Sequence, residues 1–336
     1  MKRRTLIALL AVVPAAGVPR WPSAAVSIDR LRLAWDYSRE RASDSTVVVW
    51  QDGRQVFSGG DAGKVRALAS ITKTLTSIVV HTGGFPLDTR VHTLLSDEWV
   101  GDDERKRQIT IRHLLTMTSG LEPHDNPNIS DYLSIMLSQP TVADVGTRWA
   151  YASLPVELLS ASLQEQTGKT VKQLFNERVA RKIGIADVTT WATVGPYVRG
   201  SSGARMSAGQ LARVGQMLLN RGTLGSGKVM TTTQHSGLIS HASYLDSADF
   251  QATPNSPFKI PQNNSSPRSY LRLVWSNRVG ILGPTVPRNV YFAWGLNEQF
   301  LAIFPTEKLV VVRLGAGPAS DPKFRIEFFK RVVDAL

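Results

Sequence analysis

The residues best suited to chemistry in this chain are Ser70 and Lys73, within the stretch "RALASITKTLTSIVV" from Arg66 to Val80. Read as a helix, that stretch puts positions i and i+3 on one side, so the Lys73 amine reaches the Ser70 hydroxyl. Serine is a poor nucleophile until a base takes its proton, and lysine does so only when its pKa falls from about 10.4. Burial among Leu68, Leu75 and Ile78 lowers it. The positive end of the helix dipole favours a developing alkoxide in the first turn. The opposing reading is structural: Ser70 caps the helix and Lys73 carries its amine out to solvent. A four-residue S-x-x-K pattern does not by itself decide between the two.

Such a pair needs a frame. Ile28 to Arg41 reads as an amphipathic helix, with Ile28, Leu31, Leu33, Trp35 and Tyr37 near one side. "STVVVWQDGRQVFSGG" predicts two strands turning at Asp52-Gly53, and the Ser70 helix follows. From about Asp88 to Thr190 the periodicity is mainly helical. "ITIRHLLTMTSG" stops at Gly120, and "SDYLSIMLSQP" starts on a capping Ser130. "LPVELLSASLQEQTGK" stops at Gly168, "VKQLFNERVARKIGI" at Gly184, and "SAGQLARVGQMLLNRG" runs from Ser207 to Gly222. Residues 236–290, rich in Pro, Asn and Ser, predict loops and short strands. "VYFAWGL", "QFLAIFP" and "KLVVVRLG" then read as three strands, and "KFRIEFFKRVVDAL" as a closing helix.

Strands at both chain ends with helices between them predict an α/β (α+β) fold. Its mostly antiparallel sheet is flanked by helices and interrupted by an inserted all-helical subdomain. The boundaries expected are about 26–80 and 200–336 for the sheet and about 81–199 for the helices, within one catalytic domain of residues 26–336. A length of 336 residues with 42% hydrophobic content supports a core of that size and argues against disorder.

Residues 1–25 have the layout of a secretory signal peptide: Lys2, Arg3 and Arg4, an apolar run from Leu6 to Val13, then small residues. Ser23-Ala24-Ala25 and Ala15-Ala16-Gly17 are two possible cleavage sites. The expectation is a periplasmic or secreted protein with no membrane span after signal removal, or one held by an uncleaved N-terminal anchor. Cysteine is absent, which excludes a thiol nucleophile, a thiolate zinc site and a lipoprotein anchor. Net charge is +12, of which four positive charges lie in residues 1–25. The remaining Lys and Arg are scattered without an aromatic-basic stripe, so no nucleic-acid partner is expected.

Other signatures fail. There is no G-x-S-x-G elbow and no H-E-x-x-H, and six scattered His offer no metal spacing. "GDAGKV" from Gly60 lacks the glycine spacing and final Ser/Thr of a phosphate loop.

"SITKTLTS", "ITIRHLLTMTSGLE", "RWAYAS" and "TGKTVKQLFNERVARKIGI" occur in an order and spacing that resemble the serine β-lactamase and penicillin-binding-protein superfamily. The branch is that of class C β-lactamases, D-alanyl-D-alanine carboxypeptidases and related esterases. "SITKTLTS", "TMTSGLE" and "SSGARMSAGQLARVGQMLLNRG" look nearest to the 6-aminohexanoate-dimer hydrolase type. The resemblance spans about Ser45 to Arg313. It implies Ser70 as the acylated nucleophile, Lys73 as the group that takes or shares its proton, and Tyr151 as a second acid/base. The family's Y-x-N motif places Asn where this chain has Ser153, which lacks the amide's reach toward substrate. The family's cationic Lys/His-[Ser/Thr]-Gly strand motif is missing near Val290 to Ala293; His81-Thr82-Gly83 spells it but fits a helix end, with Gly83 and Gly84 as the stop. Backbone can still supply a second oxyanion N–H there, and Ala293 is the expected donor. Ser130-Asp131-Tyr132, similar to another branch's S-D-N, reads as a helix cap. Trp149, Trp275 and Trp294 could line a cleft or simply fill the core.

The resulting expectation is an exported serine hydrolase acting on a small ester or linear amide through a Ser70 acyl-enzyme, with no cofactor or metal. The alternatives are a β-lactamase or D-alanyl-D-alanine carboxypeptidase, and a penicillin-recognising binding or sensor protein without turnover.

Overall fold

A computed structural model describes residues 25–95, 99–125, 132–253, 260–317 and 320–336. The signal-peptide segment, but for its last residue, and the Ser130-Asp131 helix start lie outside the described residues. Among the described residues no helix is long and apolar enough to cross a membrane.

Helix α1 (Ile28–Arg41) leads into the hairpin of β1 (Thr46–Gln51) and β2 (Arg54–Gly59), which turns at Asp52 and Gly53, both at positive φ. A short strand β3 (Arg66–Ala67) precedes α2 (Ile71–Gly83). The helix predicted from Arg66 therefore starts five residues later, because Arg66 and Ala67 pair with β4 (Arg205–Met206). Helix α3 (Leu154–Thr167) ends at Gly168 in the left-handed conformation, where a side chain would be strained. Helix α4 (Ala208–Leu219) opens with a capping box between Ser207 and Gln210.

The expected helix after Val171 runs on to Ile183 and stops at Gly184 in the left-handed conformation, with a wider turn at Asn176–Ala180 and a tighter one at Arg181–Ile183. At the wider turn the Asn176 side chain bonds both the N–H and the C=O of Val188. By contrast "ITIRHLLTMTSG" yields only Ile111–Leu115, since Met117 turns to φ +61°.

The sheet is six-stranded and antiparallel throughout. Its order is β5 (Trp275–Ser276), β6 (Tyr291–Gly295), β7 (Gln299–Phe304), β8 (Leu309–Leu314), β1, β2. Both termini thus meet in its centre, at the β8–β1 pairing. Strands β7 and β8 are buried along their whole length because helices cover both faces. On one face α4 presses Gly215 against Leu301 and Val310, where a Cβ would meet Val310 Cγ1 at 2.5 Å. On the other, Phe300 and Phe304 pack on Phe329 of the closing helix α5 (Pro322–Val333), and Tyr37 of α1 stacks on Phe324. That second face also holds charge. Arg313, fully buried, donates to Ser38 Oγ and to the carbonyls of Asn297 and Glu298, and Arg325 pairs with Glu298 at 3.1 Å.

Candidate active site

The approach to α2 explains why Ser70 does not cap it. Ala69 takes φ +48°, uncommon for a residue with a Cβ, and turns the chain from β3 into the helix. The first helical amides are met by backbone: Thr72 N bonds Ala69 O at 3.1 Å and Lys73 N bonds Ser70 O at 3.0 Å. The Ser70 side chain makes no capping bond, so its hydroxyl is left for Lys73.

Helix α2 is buried almost throughout, and its hydroxyls act as pegs. Thr76 donates to Gly200 O at 2.7 Å, and Thr72 accepts from Ala204 N at 3.3 Å. Thr74 and Ser77 donate to Leu273 O and Arg272 O at 2.7 and 2.6 Å. Two connecting loops are thereby held against the helix, and they close the space around Lys73.

Lys73 is only 2% exposed, which excludes an amine extended to solvent. Its Nζ lies 3.3 Å from Ser70 Oγ, 3.2 Å from Ser153 Oγ and 3.3 Å from Ser201 O. It also sits 4.9 Å from the centre of the Tyr151 ring, whose face favours a cation. Burial pulls the Lys73 pKa down to about 8, against Asp125 and Glu157, which raise it, and with Arg199, which lowers it further.

Tyr151 hydrogen-bonds the Ser70 side chain. Burial and then the Asp125 charge raise its pKa, and the Ser70 bond opposes them, so the phenol is neutral. Its ring is fixed by Trp149, Tyr270 and Trp275, with centroids at 6.4, 6.2 and 5.6 Å. Trp149, Trp275 and Trp294 are all at most 2% exposed and form one aromatic cluster, so they brace Tyr151 from the core.

Ser153 stands at the start of α3, donates its hydroxyl to Asp125 and accepts from Lys73. Four of the five expected site residues are therefore not scattered: Ser70, Lys73, Tyr151 and Ser153 share one cluster. Ala293 is the exception. It pairs with Leu301 inside β6, whereas the backbone pressed against the nucleophile is that of Gly295. A Cβ on Gly295 would lie 2.7 Å from Leu68 O and 3.3 Å from Ser70 N, so only glycine permits this approach. Of the β6 residues it is thus Gly295, two positions after Ala293, whose backbone lies beside Ser70 N.

Sequence reasoning missed Asp125, Glu157, Ser201 and Gly295. Glu157 is fully buried in α3 and accepts from Gly200 N at 2.6 Å, from Ser201 Oγ, and from Arg199 Nε at 3.4 Å. It thereby pins the segment whose Ser201 carbonyl meets Lys73. A single carboxylate inside "LPVELLSASL" was its available signal. Asp125, in "EPHDNPN", carried none. Among the described residues no three or more His, Asp or Glu gather as a metal site.

An antiparallel sheet covered by helices, with a buried serine–lysine–tyrosine cluster at a helix start, defines the class of β-lactamase-like serine hydrolases and acyltransferases. The Beta-lactamase family profile matches residues 36–331, and the chain belongs to that family. A β-lactamase from Mycobacterium bovis has the same fold, with a TM-score of 0.66 at 20% identity over 92% of this chain and 97% of that one. A 6-aminohexanoate-dimer hydrolase homologue from Bacillus anthracis superposes with a TM-score of 0.67 at 16% identity, over 94% of this chain and 87% of that one. Monacolin J acid methylbutanoyltransferase of Aspergillus terreus is 31% identical over 153 residues, 36% of this chain. The matched part is 37% of that relative's length.

Proposed function

We propose that this protein is an exported serine hydrolase that cleaves a small ester or linear amide through an acyl-enzyme on Ser70. The observation that carries the reading is Lys73 Nζ at 3.3 Å from Ser70 Oγ on a side chain 2% exposed. Neutral Lys73 takes the Ser70 proton as Oγ attacks the carbonyl carbon. The backbone N–H groups at Ser70 and the Gly295 end of β6 receive the oxyanion. Collapse passes the Tyr151 proton to the leaving atom, leaving a tyrosinate whose ring faces the new ammonium. Water then attacks the acyl carbon and gives its proton to Tyr151, while Lys73 returns a proton to the departing Ser70 oxygen. Each group ends as it began.

The substrate class rests on β6, where "VYFAWGL" offers no cation for the carboxylate of a β-lactam. Residues 1–25 support export. Acyl transfer to an alcohol is a second reading, favoured by the likeness to the fungal acyltransferase. The test is turnover of short-chain p-nitrophenyl esters, small linear amides and nitrocefin, with product analysis in added alcohol. Ester or amide turnover well above nitrocefin is expected. Brisk nitrocefin hydrolysis would overturn the substrate class, and labelling without release would favour a sensor.

The acylation rate is expected to rise with pH and level off above about 8, because Lys73 serves as base only after losing its proton. Rates of ester-driven acylation from roughly pH 6 to 10 check this. A flat profile would remove Lys73 as the base.

A further inference from the structure

The three neighbours of Lys73 Nζ constrain where its lone pair points. A carbonyl only accepts, so Ser201 O takes one N–H. Ser153 has a single proton, and it is donated to Asp125. Toward Lys73, Ser153 therefore offers lone pairs alone and takes a second N–H. A neutral amine has two protons and one lone pair. With both protons engaged, the lone pair is left facing Ser70 Oγ, whose hydroxyl can donate into it.

We propose that Asp125 is a positioning residue: acting through Ser153, it sets the orientation of neutral Lys73 as the base of Ser70. A carboxylate–hydroxyl pair thus performs the acceptor role that a single side-chain amide at position 153 would fill. Asp125 is 6% exposed and Ser153 5%, so solvent does not substitute for either. His124 O binds the amide of Ser153 at 3.2 Å, which ties the Asp125 loop to the start of α3. The proposal rests on the reading of Lys73 as base.

Charge gives a second, separable consequence. The ionisable groups that act on Lys73 are Asp125 from its loop, Glu157 from α3, and Arg199 from the segment before Ser201, with the neutral Tyr151 ring alongside. Asp125 favours the ammonium, so its neutralisation moves the acidic limb of the rate profile to lower pH.

The experiment measures acylation rate against pH, per active site, with sites counted by fluorophosphonate titration so that unfolded protein drops out. Asp125→Ala frees the Ser153 proton to occupy the Lys73 lone pair, and the plateau is expected to fall about 100-fold. Asp125→Asn keeps an acceptor for Ser153 without the charge, so its plateau stays within a few-fold while its limb shifts down. The double variant Asp125→Ala/Ser153→Asn offers Lys73 an amide oxygen and should recover most of the plateau. A merely structural role would predict neither the limb shift nor the recovery. Wild-type rate and limb in Asp125→Ala would overturn the proposal, as would Asp125→Asn being as slow as Asp125→Ala, or no recovery in the double variant. If wild type itself is not labelled at Ser70, the underlying hydrolase reading fails instead.

Discussion

Ser70→Ala is expected to abolish fluorophosphonate labelling and to lower ester turnover by about 10,000-fold or more, because the proposed acyl intermediate forms on Ser70 Oγ. Lys73→Ala should retain slow labelling, since the hydroxyl survives without its base, and lose about 1,000-fold or more in acylation. The two variants differ in kind, and intact-mass analysis separates them. The Ser70 side chain makes no cap bond, so Ser70→Ala should keep the fold while activity is lost. Lys73→Ala also removes the bonds to Ser153 and Ser201, so its loss of acylation is read per folded molecule, with stability followed by urea denaturation. A Ser70→Ala protein that still labels would end the assignment.

Glu157→Ala is expected to show the opposite balance, with a stability loss of about 3–5 kcal/mol and an activity loss that follows from it. Glu157 is fully buried and satisfies three donors, on Arg199, Gly200 and Ser201. Its removal takes one carboxylate from the Arg199 guanidinium, 11% exposed, and takes from the Gly200 amide and the buried Ser201 hydroxyl the acceptor they share. Glu157→Gln keeps the shape and part of the bonding, so it should fall between wild type and Glu157→Ala in urea denaturation. The Ser201 carbonyl, released from this anchor, would also drift from Lys73, and the residual folded enzyme should acylate more slowly. A Glu157→Ala protein as stable as wild type would show that the buried pair contributes little beyond its own desolvation.

These two sites mark how far local pattern reaches. The hairpin at Asp52-Gly53, α1, α3, α4, the three strands from Tyr291 to Leu314 and α5 were legible because each depends on neighbours a few residues away. Apolar periodicity, a capping serine or a stop glycine suffices for such elements. The failures came where a distant partner competed. β3 exists only because Arg205 and Met206 pair with it, and it takes the first residues of the helix expected from Arg66. That Gly295 and not Ala293 lies beside Ser70 N is likewise a matter of distant packing. The strand itself was evident, but which of its residues passes the nucleophile depends on how β6 packs against the turn at Ala69.

By itself the sequence determined that Ser70 and Lys73 lie on one side of a helix start, since i and i+3 share a side, but not that they pair. The order of motifs added Tyr151 and Ser153. Only the tertiary structure decided what state Lys73 is in. Burial lowers its pKa against the opposing charges of Asp125 and Glu157, and its hydrogen-bond partners Ser153 and Ser201 lie 80 and 128 residues away in the chain. Desolvation and hydrogen-bond direction are properties of an enclosed volume, so they arise only once distant segments have closed around the amine.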